Sequence, residues 1–335
     1  MSETRKLAAI PIRRRTFIAA LGCTVSAWPL AALAQQRIPR IGYLDRARDA
    51  RWGFPAFQHR LSDLGYVLGE NVEIESRFWQ GGQQDEMEGL ARELVDLKVD
   101  VIVAIGNGVY AAHRVTKTVP IVTAAATGDI VADGLADSPG HPGGNVTGQT
   151  YFVRELFVKR IALLKEVKPA MTSVGLLSPQ GNSELPAHLR AMDAPVRALG
   201  VALEPIEVAG PNDSDRALSA GPGASIGGLV VIDAPQFWFS GASAIAAAAS
   251  RHALPSAGAL EFARYGGLLG YGVDFRPMFR RAATFVVKIL KGTKPGDIPI
   301  EQATTFRSCV NLQTAKALGL DIPPTLLAAA DEVIE

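Results

Sequence analysis

The sequence predicts an α/β protein that is divided into two lobes, each built around a mostly parallel sheet. Short β-branched runs alternate with helical patterns along most of the chain, which is typical of strand–helix units around parallel sheets. The alternation stops at Pro169 and then begins again over a stretch of similar size. With 335 residues, the chain also exceeds the roughly 250–300 residues at which a single hydrophobic core stops growing. Two side-by-side lobes therefore account for both the pattern and the length.

The first series of units precedes Pro169. Its predicted elements are strands at 40–44, 72–78, 99–105, 120–125 and 145–151, and helices at 52–64, 85–98, 108–116 and 155–167. The strand at 99–105 is almost entirely apolar, which indicates that both of its faces are buried. The last helix should end before Pro169, because the residue before a proline disfavours helical backbone.

The second series follows the same pattern. Its predicted strands are 173–177, 202–208, 228–232, 255–259 and 267–273, and its predicted helices are 184–199, 214–220, 242–252, 276–290 and 310–318. Ligands of parallel sheets bind outside the carboxyl ends of the strands. A cleft between the two lobes is therefore the expected ligand site.

Composition excludes several classes of protein. The chain has 34 Lys and Arg against 33 Asp and Glu, a net charge of +1, which argues against a nucleic-acid partner. Two cysteines, Cys23 and Cys309, cannot make a disulfide framework or a cysteine zinc site. The five histidines lack metal-ligand spacing, and the chain has no G-x-S-x-G elbow. We expect no metal, no catalytic residues and no nucleophilic hydrolase.

The first 34 residues form a predicted export signal. Arg13–Arg15 is a cationic segment, an apolar stretch at 17–33 follows it, and Ala32-Leu33-Ala34 matches a small-x-small cleavage site. Arg14-Arg15 followed by Thr-Phe-Ile is also similar to a twin-arginine signal. The alternative is an amphipathic N-terminal helix. Cleavage after about Ala34 would leave an exported protein.

A glycine-rich turn follows the third predicted strand. Gly106–Ala111 fits G-x-G-x-x-A and opens a helix, and Asp129 comes 23 residues after Gly106. That spacing is compatible with a dinucleotide site, although such a loop normally follows the first strand of its unit. Two other interpretations stay open: a small anion held by Asn107 and the amides of Gly108 and Val109, or a purely structural turn.

Other segments also allow two interpretations. Asp129 could place a carboxylate in the cleft, where it would pair with an ammonium group, or it could cap a helix. The loop at 142–148 is either a plain turn or a crossing between lobes. Phe237-Trp238-Phe239 could pack in the core or offer a stacking surface. Cys309 is expected to be a buried free thiol.

Short blocks spread along the chain occur together in one family. They are 41–44 (IGYL), 64–66 (LGY), 69–72 (GENV), 99–104 (VDVIVA), 120–122 (PIV), 128–129 (GD), 142–148 (PGGNVTG), 266–268 (GGL), 271–272 (YG), 289–292 (ILKG), 294–295 (KP), 311–312 (NL), 315–319 (AKALG), 322–324 (IPP) and 330–335 (ADEVIE). In their order and spacing, the chain resembles exported substrate-binding proteins of bacterial ABC transporters, in the group related to tryptophan- and tyrosine-type binding proteins.

The resemblance implies a type I periplasmic-binding-protein fold, with two Rossmann-like lobes and a ligand cleft between them. The chain would cross between lobes near 148–151, 261–267 and 299–305, so lobe 1 would hold 38–148 and 263–300, and lobe 2 would hold 149–262 and 301–335. Such a protein is a periplasmic monomer without cofactor or catalytic activity. It closes around a small-molecule solute by a hinge motion, and the closed form docks on an ABC permease in the inner membrane.

The resemblance also implies a set of ligand-binding residues: Asn107, Gly108, Asp129, Thr147, Asn182, Asp233, Glu261 and Tyr271. A helix N-terminus and hydroxyls would hold a carboxylate, while Asp129 or Glu261 would hold an ammonium group. The ligand would be an amino acid or a related carboxylate. Asp233 stands one position earlier than the acid that often precedes the proline in relatives. The loop at 45–52, with Arg46, Arg48 and Arg51, could favour an anion or form a solvated rim.

Two other functions stay open at this point. A nucleotide-dependent oxidoreductase would use Gly106–Ala111 as its dinucleotide loop. A ligand-sensing subunit of a membrane signalling partner would share the fold and the ligand chemistry.

Overall fold

A computed structural model describes residues 37–45, 53–79, 84–127, 130–237 and 240–335. Two compact units divide the chain, Met1–Pro39 and Arg40–Glu335, and the elements below belong to the second unit. Several residues discussed above lie outside the described ranges: the predicted signal at 1–34, Arg46, Arg48, Arg51, Gly128, Asp129, Trp238 and Phe239. Within those ranges, no helix is long and apolar enough to cross a membrane.

The first sheet has six parallel strands. They are β1 (Arg40–Asp45), β2 (Glu73–Phe78), β3 (Val101–Ile105), β4 (Ile121–Thr127), β5 (Val146–Tyr151) and β11 (Glu301–Gln302). Their order across the sheet is β11-β5-β4-β3-β1-β2. The apolar run of β3 is buried, as its composition predicts, because helices cover both faces of this sheet.

Four helices flank the first sheet. They are α1 (Gly53–Asp63), α2 (Gln84–Asp96), α3 (Gly108–Val115) and α8 (Phe275–Leu290). Phe57 of α1 and Phe279 of α8 pack on one face, against the side chains of β1 and β3. Ala91 of α2 and Val109 of α3 pack on the opposite face.

The second sheet has seven strands. They are β6 (Ser173–Pro179), β7 (Ala202–Val208), β8 (Leu229–Val231), β9 (Ser256–Gly258), β10 (Leu269–Val273), β12 (Phe306–Asn311) and β13 (Glu332–Ile334). Their order is β13-β12-β10-β9-β8-β6-β7, and only the β10–β12 pair is antiparallel. The helices of this lobe are α4 (Val153–Val167), α5 (Leu185–Ala198), α6 (Ser214–Ser219), α7 (Ser240–Arg251), α9 (Leu312–Ala317) and α10 (Pro324–Ala329).

The chain passes between the sheets three times. The first passage joins β5 to α4 at Phe152, and the third joins β11 to β12 at 303–305. The second passage follows Val273, not 261–267 as expected, because β10 pairs with β9 and β12 and so remains in the second sheet. Residues 263–273 therefore belong to the second lobe, while Gln149–Thr150 and Glu301–Gln302 pair with each other in the first sheet.

The first passage depends on a glycine. Gly148 in β5 has a φ of +123°, and a Cβ built on it would lie 2.2 Å from the carbonyl oxygen of Thr123 in β4. Only glycine allows the two strands to approach this closely. β5 can therefore pair with β4 and continue into the second lobe.

Candidate ligand-binding cleft

A cleft of about 890 Å³ has one wall from each lobe. The first-lobe wall includes Asn107, Tyr110, Arg114, Thr127 and Asp133, and the second-lobe wall includes 152–155 and Ser183, Glu184 and His188. These residues follow the carboxyl ends of β3 and β4 in one lobe, and of β5 and β6 along the path into the other. This is the edge at which parallel sheets bind ligands.

The glycine-rich turn places Asn107 on the first-lobe wall. Gly106 has a φ of +52°, and its amide donates to Ala125 O over 2.9 Å, which fixes the turn between β3 and α3. Gly108 is buried, and a Cβ on it would lie 2.9 Å from the ring of Trp79. Asn107 is exposed, and its side chain does not cap α3. The left-handed backbone thus accounts for Gly106 and packing accounts for Gly108, and Asn107 lines the cleft.

Tyr110 and Asp133 stabilise the same wall. Tyr110 Oη lies 2.8 Å from Asp133 Oδ2 and 3.0 Å from Thr127 O, two acceptors for its single proton. This contact holds the segment after β4 against α3. The sequence offered no signal for it, because neither residue stands in a recognisable motif.

On the second-lobe wall, His188 connects two charged residues. Arg154 Nε donates to His188 Nδ1 over 3.4 Å, and His188 Nε2 lies 3.5 Å from Glu184 Oε2. A neutral imidazole protonated on Nε2 satisfies both contacts. The hydrogen bond from His188 lowers the pKa of Glu184, so this wall carries a carboxylate and a guanidinium side by side.

A smaller cavity of about 50 Å³ lies at the carboxyl ends of β8 and β9. Asp233 and Glu261 line it, and among the described residues four aromatic side chains do so as well: Phe237, Phe262, Tyr265 and Phe275. This space admits a few water molecules or one small group. Aromatic faces beside a carboxylate are a suitable environment for an organic cation. We name this cavity the aromatic pocket.

Glu261 is the less compensated of the two carboxylates. Burial raises its pKa, and the negative charges of Asp233 and Asp274 raise it further, while its own backbone amide and Arg264 act in the opposite direction. Arg264 is itself bound to Glu332, with 2.9 Å between Nε and Oε1. A cation entering the aromatic pocket would therefore relieve the cost of ionising Glu261.

Asp233 has a strong partner already. Its two carboxylate oxygens accept hydrogen bonds from Arg160 Nη1 over 2.7 Å and Nη2 over 3.1 Å. Arg160 is completely buried, and the Asp233 side chain is 7% exposed. Sequence reasoning missed Arg160, because an arginine in the middle of an amphipathic helix reads as a surface residue.

The other predicted site residues have different surroundings. Thr147 is buried and its hydroxyl donates to Ile298 O over 2.7 Å. Asn182 shapes the turn before α5, donating to Ser178 Oγ over 3.0 Å and accepting from the Glu184 amide. Tyr271 stacks on Phe306 with 6.2 Å between ring centroids. None of the three lines the cleft or the aromatic pocket, whereas Asn107, Asp233 and Glu261 do.

No cluster of three metal-ligating side chains occurs among the described residues. Cys309 is buried beside Leu260 and Ala263. Burial raises the pKa of its thiol to about 11, so the group is a poor nucleophile at neutral pH.

Comparisons with known proteins agree with this architecture. The model of the family described as ABC transporter substrate binding protein matches residues 48–334. A tyrosine-binding protein of Clostridioides difficile strain R20291 is 26% identical over 272 residues, covering 79% of this chain and 75% of that protein.

Two solved structures share the fold. An ABC domain from Streptococcus pneumoniae in complex with L-Trp has a TM-score of 0.78 at 23% identity and covers 88% of this chain and 99% of its own. A conserved domain protein from Vibrio cholerae has a TM-score of 0.79 at 24% identity, with 89% and 100% covered. The fold is that of the type I periplasmic binding proteins, which confirms the predicted fold class. The chain belongs to the family of ABC transporter substrate-binding proteins.

Proposed function

We propose that this chain is the exported solute receptor of a bacterial ABC importer and binds an aromatic amino acid in the cleft. It acts in the periplasm as a monomer, without catalysis or cofactor, and delivers the solute to an inner-membrane permease. Support for the ligand class comes from the similar tyrosine-binding protein and the similar L-Trp complex.

The observation that carries the proposal is the position of Glu261 in the aromatic pocket. An ammonium group there would meet the half-buried carboxylate of Glu261 and a lining of aromatic side chains, and both can stabilise a cation. The ligand carboxylate would bind on the first-lobe wall of the cleft, where Asn107 precedes α3, since the N-terminus of a helix favours negative charge.

The three passages between the sheets supply a hinge. The lobes are connected by three short segments of chain, at Phe152, Asp274 and 303–305. Such connections permit closure by small changes in backbone dihedral angles. A solute favours the closed form only through its higher affinity for that form. Groups on both walls must therefore contact the same molecule.

Calorimetric titration and thermal shift of residues 35–335, refolded from denaturant to remove carried-over ligand, test the proposal. The panel is L-Trp, L-Tyr, L-Phe, 3-phenylpropionate, phenethylamine and NADH. A ligand at 100 times its dissociation constant adds roughly 2.7 kcal/mol of stability. We expect the amino acids to bind, phenethylamine to bind more weakly, and 3-phenylpropionate, which lacks the ammonium group, to be inactive.

Binding of NADH and of no other compound in the panel would reject the receptor hypothesis and favour the nucleotide-dependent oxidoreductase. Binding of 3-phenylpropionate as tightly as L-Phe would reject the role of Glu261. Glu166, an exposed glutamate on α4, provides a matched control, because Glu166→Gln removes the same charge from the surface.

A further inference from the structure

Arg160 joins three elements below the aromatic pocket. It stands in the middle of α4 with no exposed surface. Besides its two bonds to Asp233, it donates from Nε to Tyr271 O over 2.8 Å and from Nη1 to Val231 O over 3.2 Å. The Tyr271 carbonyl is in the middle of β10, and Val231 is the last residue of β8 and lines the pocket.

The local packing is built around this guanidinium. Its centre lies 5.5 Å from the Phe157 ring centroid, and a Cβ on Gly272 would come to 3.5 Å from Nη2. A buried ion pair is nevertheless weak evidence for stability, because apolar residues of similar volume often stabilise a fold equally well. Stability alone therefore does not explain the Arg160–Asp233 pair, and we look for its role in ligand binding.

The pair also sets the charge of the pocket. Arg160 compensates Asp233, so Glu261 contributes the remaining negative charge among the described residues of the lining. The charged groups that act on Glu261 come from each neighbouring element: Asp233 after β8, Asp274 before α8, and Arg264 on its own turn. Cys309 on β12 is also close enough to be coupled to Glu261.

We propose that Arg160 is a positioning residue of the ligand site. It holds the Asp233 carboxylate and the end of β8 in the wall of the aromatic pocket and also binds β10, and it compensates Asp233 so that Glu261 receives the ammonium group. Asp233 then affects ligand binding indirectly, by holding Arg160 and the wall of the pocket in place. This inference rests on the proposed function.

The test uses L-Trp as the probe and the full mature chain. The double variant Arg160→Met/Asp233→Leu removes both charges and fills the space with apolar side chains, so the chain should fold. Arg160→Met alone leaves the Asp233 carboxylate without its counter-ion and should lower the denaturant midpoint. Arg280→Met/Asp63→Leu is the matched control, because it removes an exposed pair with 3.0 Å between its atoms.

We expect the double variant to fold and to bind L-Trp at least tenfold more weakly than the wild type. The acid limb of its binding profile should move to lower pH, because the Asp233 charge that raises the pKa of Glu261 is gone. The control pair should change neither quantity. A folded double variant with the affinity and pH profile of the wild type would overturn the inference. Failure of the wild type to bind any amino acid would instead reject the proposed function.

Discussion

The hydroxyl of Tyr110 and the carboxylate of Asp133 meet on the first-lobe wall of the cleft, with 2.8 Å between Oη and Oδ2. Tyr110 belongs to α3 and Asp133 to the turn that follows β4, so the contact joins two segments that both face the ligand site. Its loss would affect the shape of this wall more than the core behind it.

Tyr110→Phe removes the hydroxyl and keeps the ring. We expect the free energy of unfolding to fall by about 0.5–1.5 kcal/mol, which is the usual contribution of one hydrogen bond. We also expect ligand affinity to fall, because the hydroxyl holds the wall of the cleft in place. Urea unfolding and calorimetric titration measure the two effects. Tyr66→Phe, a half-buried tyrosine elsewhere in the first lobe, is the control. Equal affinity in Tyr110→Phe and wild type would contradict a role in shaping the site.

Gly108→Ala tests why the glycine-rich turn contains its second glycine. The added methyl group would lie 2.9 Å from the Trp79 ring, so we expect a loss of about 1–3 kcal/mol by overpacking. Trp79 is buried, so Trp79→Leu is destabilising by itself, but Gly108→Ala should cost less in a chain that already carries Trp79→Leu than in the wild type. Gly106→Ala meets no neighbouring atom and should lose about 1 kcal/mol through its left-handed backbone alone. If Gly108→Ala costs as much beside Trp79→Leu as it does in the wild type, packing is not the reason for Gly108.

Most of the fold could be predicted because each strand and helix carries its own period of apolar residues. The pattern places the strand at 267–273 in the second series, whereas the crossing near 261–267 that the resemblance implies places it in lobe 1; β10 pairs with β9 and β12, so the crossing is the wrong part. The predicted helix at 310–318 is also partly wrong: its first two residues end β12, and the helix begins at Leu312. β12 runs antiparallel to β10. The regular strand–helix alternation predicts parallel strands and gives no signal for this change of direction.

The site was predictable only in part, for a related reason. Asn107 and Glu261 follow buried strands directly, and that position alone places them at the carboxyl edge of a sheet. Arg160 could not be found in this way, because its partners stand 71 to 111 positions along the chain. The sequence therefore predicted Asp233 as a ligand-binding residue, and only the structure shows that Arg160 is its counter-ion.

Gly148→Ala should disrupt the first passage between the sheets. Its Cβ would lie 2.2 Å from Thr123 O, and its φ of +123° is unfavourable for any other residue. We expect a loss of about 3 kcal/mol or more, since both strain and a backbone clash oppose it. Gly140→Ala, where the added methyl group meets open space, is the control. Similar urea midpoints for the two variants would show that β5 can separate from β4 without loss.

Glu261→Gln should separate stability from binding. The pKa of Glu261 is raised in the folded protein by burial, so the energetic penalty of its charge is absent below the unfolded pKa and complete above the folded pKa. Stability conferred by the protonated form is thus lost as the pH rises through that window, and a neutral glutamine should make the unliganded protein more stable at pH 7. The same variant should bind an aromatic amino acid about 10- to 100-fold more weakly, because a charged hydrogen bond to the ammonium group is lost.

The pH profile of the wild type gives the independent measurement. Affinity should fall on acidification, beginning at a higher pH than the usual range of a glutamate would produce, and the Glu261→Gln profile should be flat there. Glu166→Gln should follow the wild type throughout, since this side chain is exposed. A wild-type affinity that stays constant down to the ordinary glutamate range would mean that the ammonium group of the ligand binds elsewhere in the cleft.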